Sequence, residues 1–157
     1  IREGDSVVID VGGLVDGYHS DMTRTFLIGQ VAPELAAIHD LVLCAQREGV
    51  LAVRPGVSSS SIDEVCRSII AEAGYGPDFI HGTGHGVGLQ IHEMPWVRSD
   101  FMEPLQCGEV VTVEPGVYRV GVGGVRIEDL ILVTATSSQT LTLSQKESLC
   151  LPSRRMI

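Results

Sequence analysis

The chain has 157 residues, of which 44% are hydrophobic and 20% charged, so it is long enough for one globular domain and too apolar for a disordered segment. Asp and Glu number 20 against 11 Lys and Arg, a formal net charge of −9 that disfavours proteins that bind along nucleic-acid phosphates. No apolar run approaches the roughly 20 residues of a membrane span, and the four cysteines lack the spacing of a disulfide framework or zinc knuckle, so we expect a cytoplasmic protein with no nucleic-acid or membrane partner.

The first predicted elements are two strands, SVVIDV and YHSDMTRTFLI, joined by a hairpin turn near Asp16 and Gly17. A helix is predicted from Pro33 to about Arg54, because proline suits a first helical position and aliphatic residues recur at helical spacing. That apolar stripe consists of Leu35, Ile38, Val42 and Ala45.

A second helix is predicted to begin at a capping box formed by Ser61 and Glu64 and to end at Gly74. Its expected apolar face consists of Ile62, Val65, Ile69 and Ala73. The remaining sequence favours strands at 80–92, 110–120 and 123–134 and a weak strand in TLTL, whereas SSQT at 137–140 is typical of a loop. Strands at both ends with helices between them indicate an α+β domain.

Four acidic residues interrupt aliphatic strands, which normally exclude carboxylates from their interiors: Asp10, Asp21, Glu114 and Glu128. A buried carboxylate without a partner costs several kcal/mol or shifts its pKa until it is neutral. We therefore expect a compensating partner for each of them.

Hairpin register brings the first two acids to one face. For a turn at either Val15-Asp16 or Asp16-Gly17, Asp10 and Asp21 point to the same side, directly opposite or diagonal to each other. In the second hairpin, Arg126 and Glu128 share a face by alternation, and Glu114 on the preceding strand can approach Glu128.

The segment HGTGHGVGLQIHEMP at 81–95 carries three histidines, His81, His85 and His92, among four glycines. Such glycine density argues against a helix, so a zinc pair on a helical face is excluded, and a phosphate loop lacks its strand–turn–helix context. Four carboxylates with one imidazole suit a pair of divalent cations such as manganese, iron or cobalt, with zinc also possible. Metal-assisted hydrolysis is the reaction class that this combination favours.

The chain resembles the catalytic domain of the pita-bread metallopeptidases (family M24), and within them the Xaa-Pro dipeptidase and Xaa-Pro aminopeptidase branch. The resemblance rests on four segments in family order, covering about residues 4–134: IDVGGLVDGYHSDMTRTF, HGTGHGVGLQIHEMP, VVTVEPGVY and GGVRIEDLILVT. It implies an α+β pita-bread fold, a curved antiparallel sheet with flanking helices. It also implies hydrolysis of a small peptide with proline at its second position by a metal-bridging hydroxide.

The resemblance also implies a role for each site residue. Two divalent metal ions would be held by Asp10, Asp21, His85, Glu114 and Glu128. Manganese is the expected metal, and cobalt, iron and zinc are the alternatives. Asp10 would use both oxygens on one metal, Asp21 and Glu128 would bridge, and His85 and Glu114 would complete the second site. Glu114 would also carry the proton, with the remaining pocket roles falling to His92 at the scissile carbonyl, His81 near the residue after that bond, and Arg126 beside the cluster with Tyr118.

The family pattern includes a further pocket histidine before the position of Asp10, together with an early helix and strands. We therefore expect residues 1–157 to be the C-terminal major part of a single catalytic domain, N-terminally incomplete and lacking any separate N-terminal domain. Sheet edges left exposed in this way favour association, so a homo-oligomer is expected.

Two functional alternatives stay open beside the peptidase. The chain could be a catalytically inactive remnant that acts only through metal binding or association, or a metal-free hydrolase of the creatinase type. The complete ligand set argues against the creatinase type. Hydrolysis of an Xaa-Pro dipeptide by the chain alone would separate the peptidase from the remnant.

Overall fold

The computed structural model describes residues 1–147 and 149–151, and its first element is a long hairpin. Strands β1 (Ser6–Val15) and β2 (Tyr18–Ile28) are antiparallel. Asp16 and Gly17 form the turn with φ of 50° and 88°, the left-handed pair that a two-residue hairpin turn requires. This register makes Asp10 and Asp21 diagonal neighbours, because Asp10 pairs with Thr23 and Gly12 with Asp21.

The first helix, α1 (Pro33–Ala52), has the predicted start and buried stripe, and it ends two residues before the predicted boundary. Leu35, Ile38, Val42 and Ala45 are all buried, as predicted. Gly49 permits a close helix crossing, since a Cβ there would lie 2.4 Å from the Sγ of Cys66 on the following helix.

The predicted capping box of the second helix, α2 (Ser59–Glu72), is wrong. Ser58 occupies the N-cap, and among the described residues its side chain makes no capping hydrogen bond to this helix end. Ser61 lies inside the first turn and its hydroxyl donates instead to the Ser58 carbonyl at 2.7 Å. Because the helix begins earlier than Ser61, the hydroxyl competes for a backbone carbonyl rather than capping an N–H.

The predicted apolar face of α2 is also rotated from the observed one. Ile62, Cys66 and Ile70 are fully buried, whereas Ala73 at the end of the predicted stripe is exposed. The face follows an i, i+4, i+8 series that includes a cysteine, which is a small apolar residue in a core.

The second half of the chain is divided into shorter strands than the sequence predicts. Segment 80–92 contributes only three strand residues, and the predicted strands at 110–120 and 123–134 are each broken in two. The weak TLTL strand is wrong, and 137–140 is not a simple loop, since a strand covers most of it. The observed strands are β3 (Gly84–Gly86), β4 (Glu93–Val97), β5 (Val110–Val113), β6 (Gly116–Arg119), β7 (Gly123–Arg126), β8 (Asp129–Val133), β9 (Ser138–Thr140) and β10 (Leu149–Leu151).

The described strands form three hydrogen-bonded sheets. β1, β2 and β10 form the first, β4-β3-β5-β8-β9 the second, and β6-β7 the third, and all pairs are antiparallel except β2 with β10. Helix α1 packs on β5, β6 and β7, while α2 packs on α1 and β4. The α+β class is therefore confirmed, with one core between the helices and the sheets.

Among the described residues, no helix is long and apolar enough to cross a membrane. Cys44, Cys66 and Cys107 are free thiols, and the side chain of Cys150 lies outside the described part of the chain.

Candidate metal centre

The site forms where one long pair of strands changes from one sheet to another. Val113 pairs with Asp129 in the β5–β8 ladder, and Gly116 pairs with Arg126 in the β6–β7 ladder. Glu114 and Glu128 occupy corresponding positions in the gap between the two ladders. Their backbone N–H groups bond elsewhere, Glu114 to the Thr83 carbonyl at 2.7 Å and Glu128 to the Thr23 carbonyl at 3.1 Å. The strand break therefore brings both carboxylates into one group of possible ligand atoms.

The hairpin carries two more carboxylates to the same place. One oxygen from each of Asp10, Asp21 and Glu128 lies within 4.8 Å of the others. Asp21 and Glu128 are buried, with 7% and 1% of their surface exposed, whereas Asp10 is exposed. Three carboxylates this close repel one another unless a proton or a cation lies among them.

His85 on β3 supplies the imidazole. Its Nε2 lies 3.2 Å from Glu114 Oε1 and 3.7 Å from Asp21 Oδ2, while its Nδ1 is 3.0 Å from the Gly86 carbonyl. A proton on Nδ1 satisfies that carbonyl, so Nε2 is the ring nitrogen that would be available to a cation, as in metal-binding histidines. His85, Glu114 and Glu128 form a second group with ligand atoms within 4.8 Å, so Glu128 belongs to both groups.

Burial and mutual repulsion perturb these groups. Burial raises the pKa of Glu128 to about 8, with repulsion from Glu114 adding to it and the Thr23 hydroxyl opposing it. Burial, and next the charge of Asp10, raises the pKa of Asp21. Burial lowers the pKa of His85, but its hydrogen bond to Glu114 and neighbouring charges outweigh burial and the net pKa is raised. Either bound protons or bound cations would relieve the repulsion among these carboxylates.

The donor set fits a pair of divalent cations. Four carboxylates supply oxygen ligands, which manganese, iron and cobalt accept, and one oriented imidazole supplies a nitrogen ligand. Two ligand groups that share Glu128 match the arrangement required for two neighbouring ions. The assignment of the five predicted ligands remains a prediction, while their convergence is an observed feature of the fold.

Two threonines that the sequence analysis did not single out orient the glutamates. The Thr23 hydroxyl donates to Glu128 Oε2 at 2.6 Å, and the Thr112 hydroxyl donates to Glu114 Oε1 at 3.0 Å while accepting from the His85 N–H at 3.0 Å. Thr23 follows Asp21 by two residues on β2, so strand alternation alone places it on the same face. That signal was available in the sequence.

Arg126 connects the carboxylates to the far side of the cavity. Its guanidinium contacts Asp10 and lies 3.7 Å from Glu114, and it donates to the Tyr118 hydroxyl at 2.9 Å. That hydroxyl is in turn 2.9 Å from His81 Nε2. Arg126, Tyr118 and His81 thus form one hydrogen-bonded chain beside the carboxylates.

His92 and the open cavity complete the site. The exposed His92 ring lies with its centroid 4.2 Å from that of His85, and a third group of possible ligand atoms consists of Asp21, His85 and His92. A cavity of about 300 Å³ opens beside His85 and Glu114. Its side-chain lining includes His81, His85, Trp96, Arg98, Glu114 and Arg126.

Comparison with known proteins places this geometry in context. Residues 1–135 match the model of metallopeptidase family M24. The chain is 46% identical to the Xaa-Pro dipeptidase of Pyrococcus horikoshii over 94% of its own length, which is 42% of that protein. The chain therefore spans about two-fifths of the length of the curated relatives it matches.

Solved structures of family members have the same fold as this chain. A crystal structure of the prolidase from Pyrococcus horikoshii superposes with a TM-score of 0.92, covering 94% of this chain and 42% of that one at 46% identity. The X-Pro aminopeptidase from Thermotoga maritima also superposes with a TM-score of 0.92, at 36% identity, covering 96% of this chain and 43% of that one. The expected pita-bread fold is confirmed by these superpositions.

Proposed function

The chain belongs to metallopeptidase family M24, and from this premise we propose that it carries the dinuclear centre of an Xaa-Pro dipeptidase or aminopeptidase. The reaction proposed is hydrolysis of the peptide bond between an N-terminal residue and a following proline. One observation carries the proposal: the groups Asp10–Asp21–Glu128 and His85–Glu114–Glu128 share Glu128. Similarity to relatives such as the Xaa-Pro dipeptidase of Pyrococcus furiosus supports the substrate class.

Asp10, Asp21 and Glu128 would hold one cation and His85, Glu114 and Glu128 the other, with Asp21 close enough to His85 to serve either. Manganese suits the oxygen-rich donor set, and cobalt, iron and zinc are the alternatives. When bound, the cations supply Lewis-acid polarisation of the peptide carbonyl and lower the pKa of an attacking water. The rest of the chemistry falls to side chains around them.

Glu114 is proposed to hold and move the proton. Its carboxylate faces the cavity, the Thr112 hydroxyl orients Oε1 at 3.0 Å, and Arg126 lies 3.7 Å from Oε2. A carboxylate in this position accepts a proton from water and delivers it to the departing proline nitrogen. The two fixed neighbours keep it aimed at the reacting atoms.

The histidines are proposed to bind the peptide on either side of the scissile bond. His92 is exposed beside His85 and can donate to the scissile carbonyl. His81 lines the cavity and is held by Tyr118, which suits contact with the prolyl residue. Arg126 stabilises the carboxylates through Asp10 and Glu114 and so keeps the negative site assembled.

The chain spans 42% of the Pyrococcus horikoshii relative, so the proposal has two parts that can fail separately. The purified 157-residue chain would be incubated with manganese and a Met-Pro dipeptide, with Met-Ala as the matched control. Release of methionine from Met-Pro, and little from Met-Ala, supports an active peptidase. Manganese binding without dipeptide turnover supports the alternative of an inactive remnant that acts through metal binding or association. Absence of both manganese binding and turnover rejects the proposed metal site.

A homo-oligomer in a reducing compartment completes the proposal. β1 lies at the outer position of its sheet and exposes Ile9, Val11, Leu14 and Val15, which a second copy could cover. The free thiols of Cys44, Cys66 and Cys107 are compatible with the cytoplasm. Sedimentation velocity tests the association, because a monomer at all concentrations would reject it.

A further inference from the structure

An ion pair on α2 lies outside the ligand set and is unusually well connected. Asp63 is completely buried and accepts two hydrogen bonds from Arg67, one turn further along the helix, at 2.8 and 2.9 Å. A bidentate pair of this kind is geometrically rigid. The hydrogen bond to Asp63 leads in raising the pKa of Arg67, with burial opposing it.

The remaining bonds of this pair all go to one loop, residues 79–83. Arg67 donates to the carbonyls of Phe79 at 3.0 Å and His81 at 2.8 Å. Asp63 Oδ1 accepts from the Thr83 N–H at 3.0 Å and from the Thr83 hydroxyl at 2.9 Å. The Arg67 guanidinium also lies 4.2 Å from the centre of the Phe79 ring. Two side chains of one helix therefore hold three residues of the loop.

The loop carries one residue of the candidate active site, His81, and is hydrogen-bonded to the backbone of a second, Glu114. His81 points to Tyr118, and its ring packs edge-on against Phe79 with centroids 5.2 Å apart. The Thr83 carbonyl accepts the backbone N–H of Glu114 at 2.7 Å, at the strand break that directs the Glu114 side chain into the cavity. Displacement of the loop would therefore move His81 directly and Glu114 through its backbone.

We propose that Asp63 and Arg67 are positioning residues that hold the 79–83 loop so that His81 and Glu114 meet the substrate. The inference rests on the proposed function for the roles of those two residues. A pair that served only the helix would bond within α2, whereas this pair satisfies four polar groups of the loop. Each of those groups would need a new partner if the pair were lost.

Arg67→Lys tests the proposal with the charge retained. A lysine ammonium is a compact point charge that cannot reproduce the planar fork serving Asp63 and two carbonyls together. We expect KM for Met-Pro to rise about 10- to 100-fold, as misplacement of a binding group by about 1 Å does, with a smaller change in kcat. Manganese affinity, measured by calorimetry, should fall by a smaller factor than KM rises, because the loop reaches Glu114, a proposed metal ligand, through one backbone hydrogen bond only.

The readout that does not need turnover is the imidazole signal of His81 in a ¹H–¹⁵N NMR spectrum of the metal-free chain. Arg67→Lys should shift it, because the His81 carbonyl loses its donor. Thr83→Val, which removes the hydroxyl bond to Asp63 and keeps the Thr83 N–H bond, should shift it in the same direction and gives a milder variant if Arg67→Lys does not fold. Ile70→Val, in the core of the same helix, controls for a general loss of stability and should leave the signal in place.

The outcomes separate the positioning proposal from the proposed function. If the His81 signal shifts in Arg67→Lys and in Thr83→Val but not in Ile70→Val, the positioning proposal is supported even if the chain hydrolyses no dipeptide. If the His81 signal stays at its original position in Arg67→Lys and in Thr83→Val, the positioning proposal is overturned, whatever the activity. Equal shifts of the His81 signal in Ile70→Val, Arg67→Lys and Thr83→Val also overturn the positioning proposal, because equal shifts would reflect a general loss of stability.

Discussion

Glu114 and Glu128 lie opposite each other at the point where two antiparallel ladders of the same register separate into different sheets. Neither amide bonds across the gap, since Glu114 donates to Thr83 and Glu128 to Thr23. The break converts two strand positions into two converging carboxylates. Such a site is unstable without positive charge, and the predictions below follow from that property.

The first prediction concerns metal and thermal stability. A divalent ion that binds only the folded chain stabilises it by about 2.7 kcal/mol at 100 times its dissociation constant. For a chain of this size each kcal/mol corresponds to about 2–4 °C in Tm. We expect manganese to raise Tm, and a chelator to lower it, in differential scanning calorimetry.

Asp21→Ala is the informative variant for that experiment. Asp21 belongs to two of the three groups of possible ligand atoms, so its removal should abolish the effect of the chelator. A chelator effect of equal size in Asp21→Ala would contradict the role of Asp21. The exposed Asp16, in the hairpin turn away from the cluster, provides a matched control as Asp16→Asn, with the chelator effect retained.

The second prediction is a pH dependence of the metal-free chain. Glu128 has a pKa of about 8 in the folded state against an ordinary value of 4.5, so the folded chain keeps a proton that the unfolded chain has released. This contribution to stability is complete below about pH 4.5 and is lost as pH rises through about 8, at no more than about 1.4 kcal/mol per pH unit. The raised pKa of Asp21 acts in the same direction.

Urea unfolding at a series of pH values measures this dependence. Glu128→Gln, which is neutral at every pH, should flatten the decline, and saturating manganese should flatten it in the original chain. Stability that rises steadily from pH 5 to pH 8 in the metal-free chain would contradict the assigned pKa shift.

The third prediction uses two glycines. A Cβ on Gly84 would lie 2.1 Å from the Thr112 carbonyl oxygen, so Gly84→Ala forces β3 away from β5 and carries His85 with it. We expect a loss of about 1–3 kcal/mol in the free energy of unfolding, together with weaker metal binding. Gly13→Ala meets only the Ser20 hydroxyl at 3.3 Å and should change stability by less than about 0.5 kcal/mol. Similar losses in both variants would contradict the packing argument.

The fourth prediction concerns Glu114, the proposed proton carrier. Glu114→Gln should lower kcat for Met-Pro by about 10²- to 10⁴-fold, the usual range for removal of a general acid–base group. Steady-state kinetics at saturating manganese measures the change. Thr112→Ser keeps the hydroxyl that donates to Glu114 and should retain most of the activity, whereas Thr112→Val should not. Retention of full activity in Glu114→Gln would remove Glu114 from the mechanism.

The proximity of Asp10 and Asp21 was predictable from the sequence because the position of the turn determines which residues of the two strands lie opposite each other. Once Asp16 and Gly17 form a two-residue turn, alternation places Asp10 and Asp21 on one face, and the observed hairpin has one of the two expected registers. The buried stripe of α1 was predictable for the same reason, since helical spacing defines its face.

Other features depend on tertiary contacts that local patterns do not encode. The start of α2 was mispredicted because a run of four serines offers several possible caps. The breaks at Glu114 and Glu128 depend on amide partners in distant segments, Thr83 and Thr23. The proposed positioning role of Asp63 and Arg67 likewise depends on which loop packs against α2.

Calorimetric titration of the purified, metal-free chain with manganese tests the central claim most directly. The proposed centre predicts two ions per chain, with Glu128→Ala reducing the stoichiometry because Glu128 belongs to both ligand groups. Saturation at two ions, lost in Glu128→Ala, would agree with a dinuclear site. Absence of binding heat, or binding that Glu128→Ala leaves unchanged, would contradict it.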